Sequence, residues 1–298
     1  MKLQGIIPAL TTPFDAHGAM SLDRLRDNVT AYNRMGLSGY LAVGSTGESV
    51  FLNRMEFENV VAVVREAAAP GRILIAGTGV DSTAETISRT NVAAGLGYDF
   101  ALVCPPYYFK SMMKPDVLVE HYQRIADASP IPVLLYSVPQ FTGVAIEPDV
   151  AAQLAEHKNI AGMKDSSGNV DRLGAILAAV PETFEVMTGA STTIYPSMIL
   201  GAKGAILALA DFLPELCVEL FDAVVARDAE RSLELQRRIL PASHKIVSSM
   251  GIAGVKYAMD CRGLYGGLVR RPLPSLDESQ CKKVEALVAG LAPAAVSA

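Results

Sequence analysis

Lys164 stands where an apolar run, residues 160–163, gives way to the small polar turn Asp165-Ser166-Ser167-Gly168. An amine at the end of a buried strand loses part of its hydration, which disfavours the charged form and leaves a neutral nucleophile near pH 7. The chemistry open to such a group is Schiff-base formation with a carbonyl compound. Moving a lysine from about 10.4 to about 7.5 corresponds to roughly 4 kcal/mol of differential interaction, within reach of an apolar interior. Taken alone, the same residue also reads as a lysine that caps a strand beside Asp165.

Other groups follow strand-length apolar runs in the same way. Gly44-Ser45-Thr46-Gly47-Glu48 follows residues 39–43, Tyr107-Tyr108 follows residues 100–104, Tyr136-Ser137 ends residues 132–137, and Gly189 follows residues 184–188. The glycine-flanked Ser45-Thr46 pair is either a tight turn or an anion cradle, in which backbone N–H groups and hydroxyls hold a carboxylate. Tyr136 is either a core tyrosine or a phenol that moves protons at a Schiff-base carbon. Tyr107 and Tyr108 are either a surface aromatic pair or part of the same relay. His17, His121, His157 and His244 are scattered, with no HxxxH or HxH pair, so no metal site is expected.

The elements that must position these groups are repeated. Short apolar runs alternate with amphipathic stretches of ten to sixteen residues, the pattern of β-α units around a parallel sheet. Helix starts are marked by Asn53 with Glu56, Ser82 with Glu85, and Pro115, Pro148 and Pro214 at first-turn positions. Eight such units fill residues 1–226, the number and size of an α/β (β/α)8 TIM barrel, in which active sites lie at the carboxyl ends of the strands. Residues 227–298 read as a C-terminal helical extension, with helices over about 229–249, from about Gly254, and one capped by Asp277 with Gln280. Residues 292–298 read as a frayed tail. The competing doubly wound sheet lacks its G-x-G-x-x-G fingerprint, since Gly77-Thr78-Gly79 stands alone.

Composition narrows the function classes. The chain has 298 residues, 50% of them hydrophobic, and a formal charge of −5, which disfavours a general nucleic-acid binder. No window reaches the ~18 apolar residues of a membrane span. Cys104, Cys217, Cys261 and Cys281 are widely spaced and the N-terminus lacks a secretory h-region, so the expectation is a cytoplasmic protein acting on a small molecule.

Gly44-Ser45-Thr46-Gly47-Glu48, Tyr107-Tyr108, Tyr136-Ser137-Val138-Pro139 and Gly162-Met163-Lys164-Asp165, in this order and spacing, resemble the dihydrodipicolinate synthase and N-acetylneuraminate lyase family. The resemblance runs from Thr11-Thr12-Pro13-Phe14 to Gly201-Ala202-Lys203-Gly204. It implies a metal-independent class I pyruvate aldolase or lyase without a cofactor, a carbon–carbon lyase assembled as a homotetramer, a dimer of dimers. By the same resemblance Lys164 is the Schiff-base lysine, Tyr136 the proton shuttle, and Ser45 a bridge from Tyr136 to Tyr108, the latter supplied by a neighbouring subunit. Ser45, Thr46, Ser166, Ser167, Phe141, Gly189 and Ile206 form the substrate-binding set.

The choice of aldehyde is open to three readings. Synthases of the family carry an arginine two residues after the Tyr-Asn-Val-Pro motif, where this chain has Phe141, which cannot form a bidentate ion pair. Tyr136-Ser137-Val138-Pro139 with Lys164-Asp165-Ser166 is similar to the 4-hydroxy-2-oxoglutarate aldolase branch, which releases pyruvate and glyoxylate, and that reaction is the first expectation. The alternatives are 4-hydroxy-tetrahydrodipicolinate synthase, joining pyruvate and aspartate semialdehyde, and a 2-oxo-3-deoxy sugar-acid aldolase or dehydratase. A non-enzymatic oxo-acid-binding regulator would not need the proton relay.

Overall fold

The computed structural model of the chain describes residues 2–291, so the tail expected over 292–298 lies outside the described residues. Eight strands alternate with helices: β1 (Gly5–Pro8), β2 (Gly39–Ala42), β3 (Ile73–Gly77), β4 (Phe100–Val103), β5 (Val133–Ser137), β6 (Ile160–Asp165), β7 (Glu185–Thr188) and β8 (Gly204–Leu207). They form one sheet in the order β1-β8-β7-β6-β5-β4-β3-β2. Strands β2 to β8 follow one another in sequence order and β1 pairs with β8, the ordering of a (β/α)8 barrel, and a helical extension follows the eighth unit.

The local reasons are visible in the sequence. The helix Arg54–Ala67 opens on a capping box, Asn53 accepting from the Glu56 N–H while Glu56 accepts from the Asn53 N–H, both at 2.9 Å. Ser82 accepts from the Glu85 N–H at 3.3 Å. Pro115, Pro148 and Pro214 each begin a helix, where a missing N–H costs nothing. Strand residues are buried almost without interruption, as a sheet covered on both faces requires.

The chain divides into two compact units, one made of the residues up to Gly5 with Ile73–Ile206, the other of Ile6–Arg72 with the residues from Leu207 onward. In the first, β3 to β7 pair in parallel, with Tyr136 beside Lys164 and Lys164 beside Met187. Behind β4 to β7 lies a core of Tyr122, Ile125, Leu135, Ile146, Leu154, Met163 and Val186, each worth about 1.5–3 kcal/mol for burial of its side chain. Gly162 is a point of close approach, because a Cβ there would collide with the Glu185 carbonyl oxygen on β7. Gly162→Ala is therefore expected to cost about 3 kcal/mol of stability, read as a lower urea midpoint at unchanged slope.

In the second unit β1 runs beside β2, with Ser38 donating to Ile6 at 2.9 Å and Leu10 to Leu41 at 3.0 Å. The helix Ala229–Ala242 packs on Pro214–Val225, and Gly251–Cys261 packs on Glu278–Leu291. The helix expected over 229–249 is not uniform: Pro241 lies inside Ala229–Ala242 and the π-helical segment Ser243–Ser248 follows. Proline has no N–H to give the preceding turn, and the wider coil re-satisfies the backbone beyond it. No helix among the described residues is long and apolar enough to cross a membrane.

Candidate active site

The carboxyl ends of β5, β6 and β7 bring four of the expected residues together. Lys164 and Tyr136 occupy paired positions on adjacent strands, are 4% and 6% exposed, and the Lys164 Nζ lies 4.6 Å from the centre of the Tyr136 ring. An amine over an aromatic face is held there by the ring quadrupole and by dispersion along its stem. Gly189 follows β7, and its N–H donates to the Asp165 carbonyl at 2.7 Å. A Cβ on Gly189 would collide with Ser166 Oγ and lie 2.8 Å from Lys164 Cε, so the glycine leaves the space that the lysine stem uses.

The loop after β6 is tied down by its own side chains. Ser166 donates its N–H to the Ser137 carbonyl at 2.8 Å, and Gln140 Nε2 donates to the Ser166 carbonyl at 2.9 Å. The Ser167 hydroxyl donates to Asp165 Oδ2 at 2.6 Å and accepts from the Asn169 N–H at 3.2 Å, so its single proton serves the loop. Asp165 is 1% exposed, and burial pushes its carboxyl above the ordinary value against the opposing Ser167 hydrogen bond and the Arg172 charge. Arg172 in turn pairs with Glu147 at 2.6 Å and donates to the Ile146 carbonyl.

The remaining expected residues of this unit lie on other elements. Phe141, on the turn Pro139–Thr142, is 66% exposed. Ile206 on β8 is fully buried. Tyr108 is 76% exposed and packs edge-on against Phe109, with ring centroids 4.9 Å apart. The Tyr107 and Tyr108 N–H groups both donate to Asp81 Oδ1, at 2.8 and 2.9 Å, which fixes the loop that carries them. Burial raises the Tyr107 phenol above its ordinary value.

In the second unit Ser45 and Thr46, both partly exposed, sit on the loop after β2. That loop is bracketed by two residues in the left-handed region, Val43 at φ 59° and Glu48 at φ 57°. For residues other than glycine this conformation costs about 1–3 kcal/mol each, and a β-branched valine is the less tolerant of the two. Gly47 is required by space, since a Cβ would lie 2.9 Å from the Leu10 carbonyl oxygen. Glu48 is buried against Lys256, a pairing the sequence reading missed; its signal is a lone lysine in the apolar stretch Val255-Lys256-Tyr257-Ala258-Met259. Among the described residues no cluster of three His, Cys, Asp or Glu side chains is suited to a cation.

An amine against a phenol ring at the mouth of a parallel sheet, with a glycine clearing its stem, can form and protonate a Schiff base. Comparison with known proteins bears on the family. A 4-hydroxy-tetrahydrodipicolinate synthase from Exiguobacterium sp. is 36% identical over 284 residues, covering 95% of this chain and 96% of that protein. One from Geobacter sulfurreducens is also 36% identical, covering 96% and 97%. The crystal structure of chloride-inhibited dihydrodipicolinate synthase from Acinetobacter baumannii, complexed with pyruvate, superimposes with TM-score 0.93 at 33% identity, covering 98% of this chain and all of that one. YagE from Escherichia coli K12, a prophage protein of the same family in complex with pyruvate, gives 0.92 at 26%, covering 98% and 99%. These relatives do not support a closest likeness to 4-hydroxy-2-oxoglutarate aldolases; the names at 33–36% identity are those of synthases. With residues 2–291 matched by the model of the dihydrodipicolinate synthetase family, the chain belongs to that family and is a carbon–carbon lyase.

Proposed function

We propose that the protein condenses pyruvate, held as a Schiff base on Lys164, with aspartate semialdehyde, the reaction of a 4-hydroxy-tetrahydrodipicolinate synthase. The observation that carries the chemistry is the pairing of buried Lys164 with Tyr136 across β5 and β6. The synthase names of the relatives favour the aldehyde.

In the cycle, the neutral Lys164 amine attacks the C2 ketone of pyruvate, and the carbinolamine loses water to give an iminium. Tyr136 gives its proton to the departing water and, as phenolate, takes a proton from C3, which leaves the enamine, whose C3 attacks the aldehyde carbon. Tyr136 gives its proton to the new alkoxide and takes one back when water releases Lys164. The Ser45 and Thr46 hydroxyls take the pyruvate carboxylate, Ser166 and Gly189 border the lysine, and Ile206 belongs to the apolar wall. The iminium is its own electron sink, so the cycle needs no cofactor or metal. Tyr108 completes the relay from a neighbouring subunit of a homotetramer, a role that suits its 76% exposure. A cytoplasmic setting goes with this reading.

A second reading has one observation in its favour. Phe141 stands where an arginine would meet the distal carboxylate of aspartate semialdehyde, and it is exposed. Run in reverse, the same lysine chemistry cleaves 4-hydroxy-2-oxoglutarate to pyruvate and glyoxylate.

Borohydride reduction in the presence of pyruvate, followed by peptide mapping, tests the shared chemistry. The expected result is one adduct, on Lys164, and its absence removes both readings. Initial rates of condensation with aspartate semialdehyde are then set against cleavage of 4-hydroxy-2-oxoglutarate. Faster condensation supports the synthase, and preferred cleavage transfers the function to the second reading. Phe141→Arg adds the missing cation at an exposed site, so on the synthase reading KM for aspartate semialdehyde is expected to fall about tenfold, with pyruvate KM unchanged.

A further inference from the structure

We propose that Lys256 and Arg270 are positioning residues for the reaction, holding the Ser45-Thr46 loop in its binding conformation before pyruvate arrives by clamping Glu48 and the segment at Thr12 that meets Gly47. The functional half rests on the carboxylate-holding role given to Ser45 and Thr46 above.

Glu48 is 1% exposed and closes the loop in the left-handed conformation. Its Oε1 lies 2.5 Å from Lys256 Nζ, and its Oε2 accepts from the Arg270 N–H at 2.8 Å. Lys256, also 1% exposed, donates to the carbonyls of Thr12 and Leu268 at 2.8 and 2.7 Å, with the Glu48 carboxylate beside it as counter-charge. Thr12 returns to the loop, its hydroxyl donating to the Gly47 carbonyl at 2.7 Å. The loop is thus gripped at Gly47 and Glu48, the two residues that follow Ser45-Thr46.

Arg270 anchors the other end of the clamp. Its guanidinium donates to both Glu56 oxygens at 2.7 and 2.8 Å and to the Phe51 carbonyl at 2.9 Å, and it stacks 4.3 Å from the Phe14 ring centre, with Lys256 Nζ 4.6 Å from the same ring. Burial pulls the Lys256 ammonium below its ordinary value, and the Glu48 carboxylate opposes that pull. A buried ion pair gives little net stability compared with apolar residues of the same shape, whereas its directional bonds fix one geometry. A loop already fixed in its bound form spares the ligand the cost of ordering it.

The test varies pyruvate in steady-state kinetics of a Glu48→Gln, Lys256→Met double variant, which removes both charges and keeps an acceptor for the Arg270 N–H. Expected is a rise in pyruvate KM of about tenfold, with kcat at saturating pyruvate within about threefold of wild type and complete borohydride trapping at Lys164. Lys256→Arg, which keeps the charge, recovers part of the KM. A folded double variant with wild-type pyruvate KM, or one that loses only kcat, overturns the proposal. Hydrogen exchange on the unaltered protein needs no variant to fold: the amides of Glu48, Ser49 and Phe51, bonded within the loop, are expected to exchange slowly without pyruvate and to change little with it. Fast exchange that slows only with pyruvate also overturns it. Failure of the underlying reaction shows separately, as a wild-type protein that traps no pyruvate.

Discussion

Lys164→Ala is expected to lower turnover by roughly 10⁴-fold or more and to abolish the borohydride-trapped pyruvate adduct, while the protein stays folded. The iminium is what makes C3 of pyruvate acidic, so no neighbouring group can replace the amine once it is gone. Some stability is expected to be lost, about 2 kcal/mol and seen as a lower Tm, because truncating a side chain that is 4% exposed leaves a cavity beside Tyr136 and Gly189. Lys164→Arg separates a nucleophile from a mere charge. A guanidinium keeps the positive charge and cannot give a neutral amine, so it should be as inactive as alanine. An arginine variant with substantial turnover, or an adduct that persists in Lys164→Ala, would show that the chemistry lies elsewhere.

The barrel was legible because each unit carries its own punctuation. The apolar runs over 39–43, 100–104, 132–137 and 184–188 agree with the observed strands to within one residue, because Gly39 and Pro132 mark where pairing begins. The helix around Pro241 was less legible, since a π-helical turn depends on which carbonyls later find donors. At the site, Lys164 and Tyr136 could be read together because both end consecutive strands of a parallel sheet. Asp165, Ser167 and Arg172 could not, since their network is a matter of side-chain direction within a turn. Glu48 and Lys256 are far apart in sequence, and nothing short of the fold brings a buried carboxylate to a buried amine.

These residues divide by the half of the reaction they govern. On the proposed function, Lys164, Tyr136 and Gly189 concern pyruvate, which both enzymatic readings share. On the same proposal Phe141 belongs to the aldehyde side, and its turn Pro139–Thr142 is joined to the lysine loop by the Gln140 bond to the Ser166 carbonyl. Changes at the first group should therefore alter adduct formation, and changes at the second should alter the choice of aldehyde while leaving the adduct intact. Phe141→Arg and Lys164→Ala sit on opposite sides of that division.

Gly189→Ala falls on the pyruvate side and is expected to slow adduct formation and turnover about 10²-fold. The requirement is for space. The added methyl would collide with Ser166 Oγ, lie 2.9 Å from Ser166 Cβ and lie 2.8 Å from Lys164 Cε. The Ser166 hydroxyl can rotate away, but its Cβ is fixed by the loop, whose N–H is bonded to Ser137 and whose carbonyl is bonded to Gln140. The lysine stem must then move, and a shift of about 1 Å in a nucleophile is enough to spoil its approach to a carbonyl carbon. Overpacking of this kind also costs about 1–3 kcal/mol of stability, seen as a lower urea midpoint. Removing the second obstacle in Gly189→Ala, Ser166→Gly should return part of that stability and leave adduct formation slow, since the contact with Lys164 persists. Wild-type rates of trapping in Gly189→Ala would show that the lysine has room to spare, and the space beside β7 would then have no part in holding it.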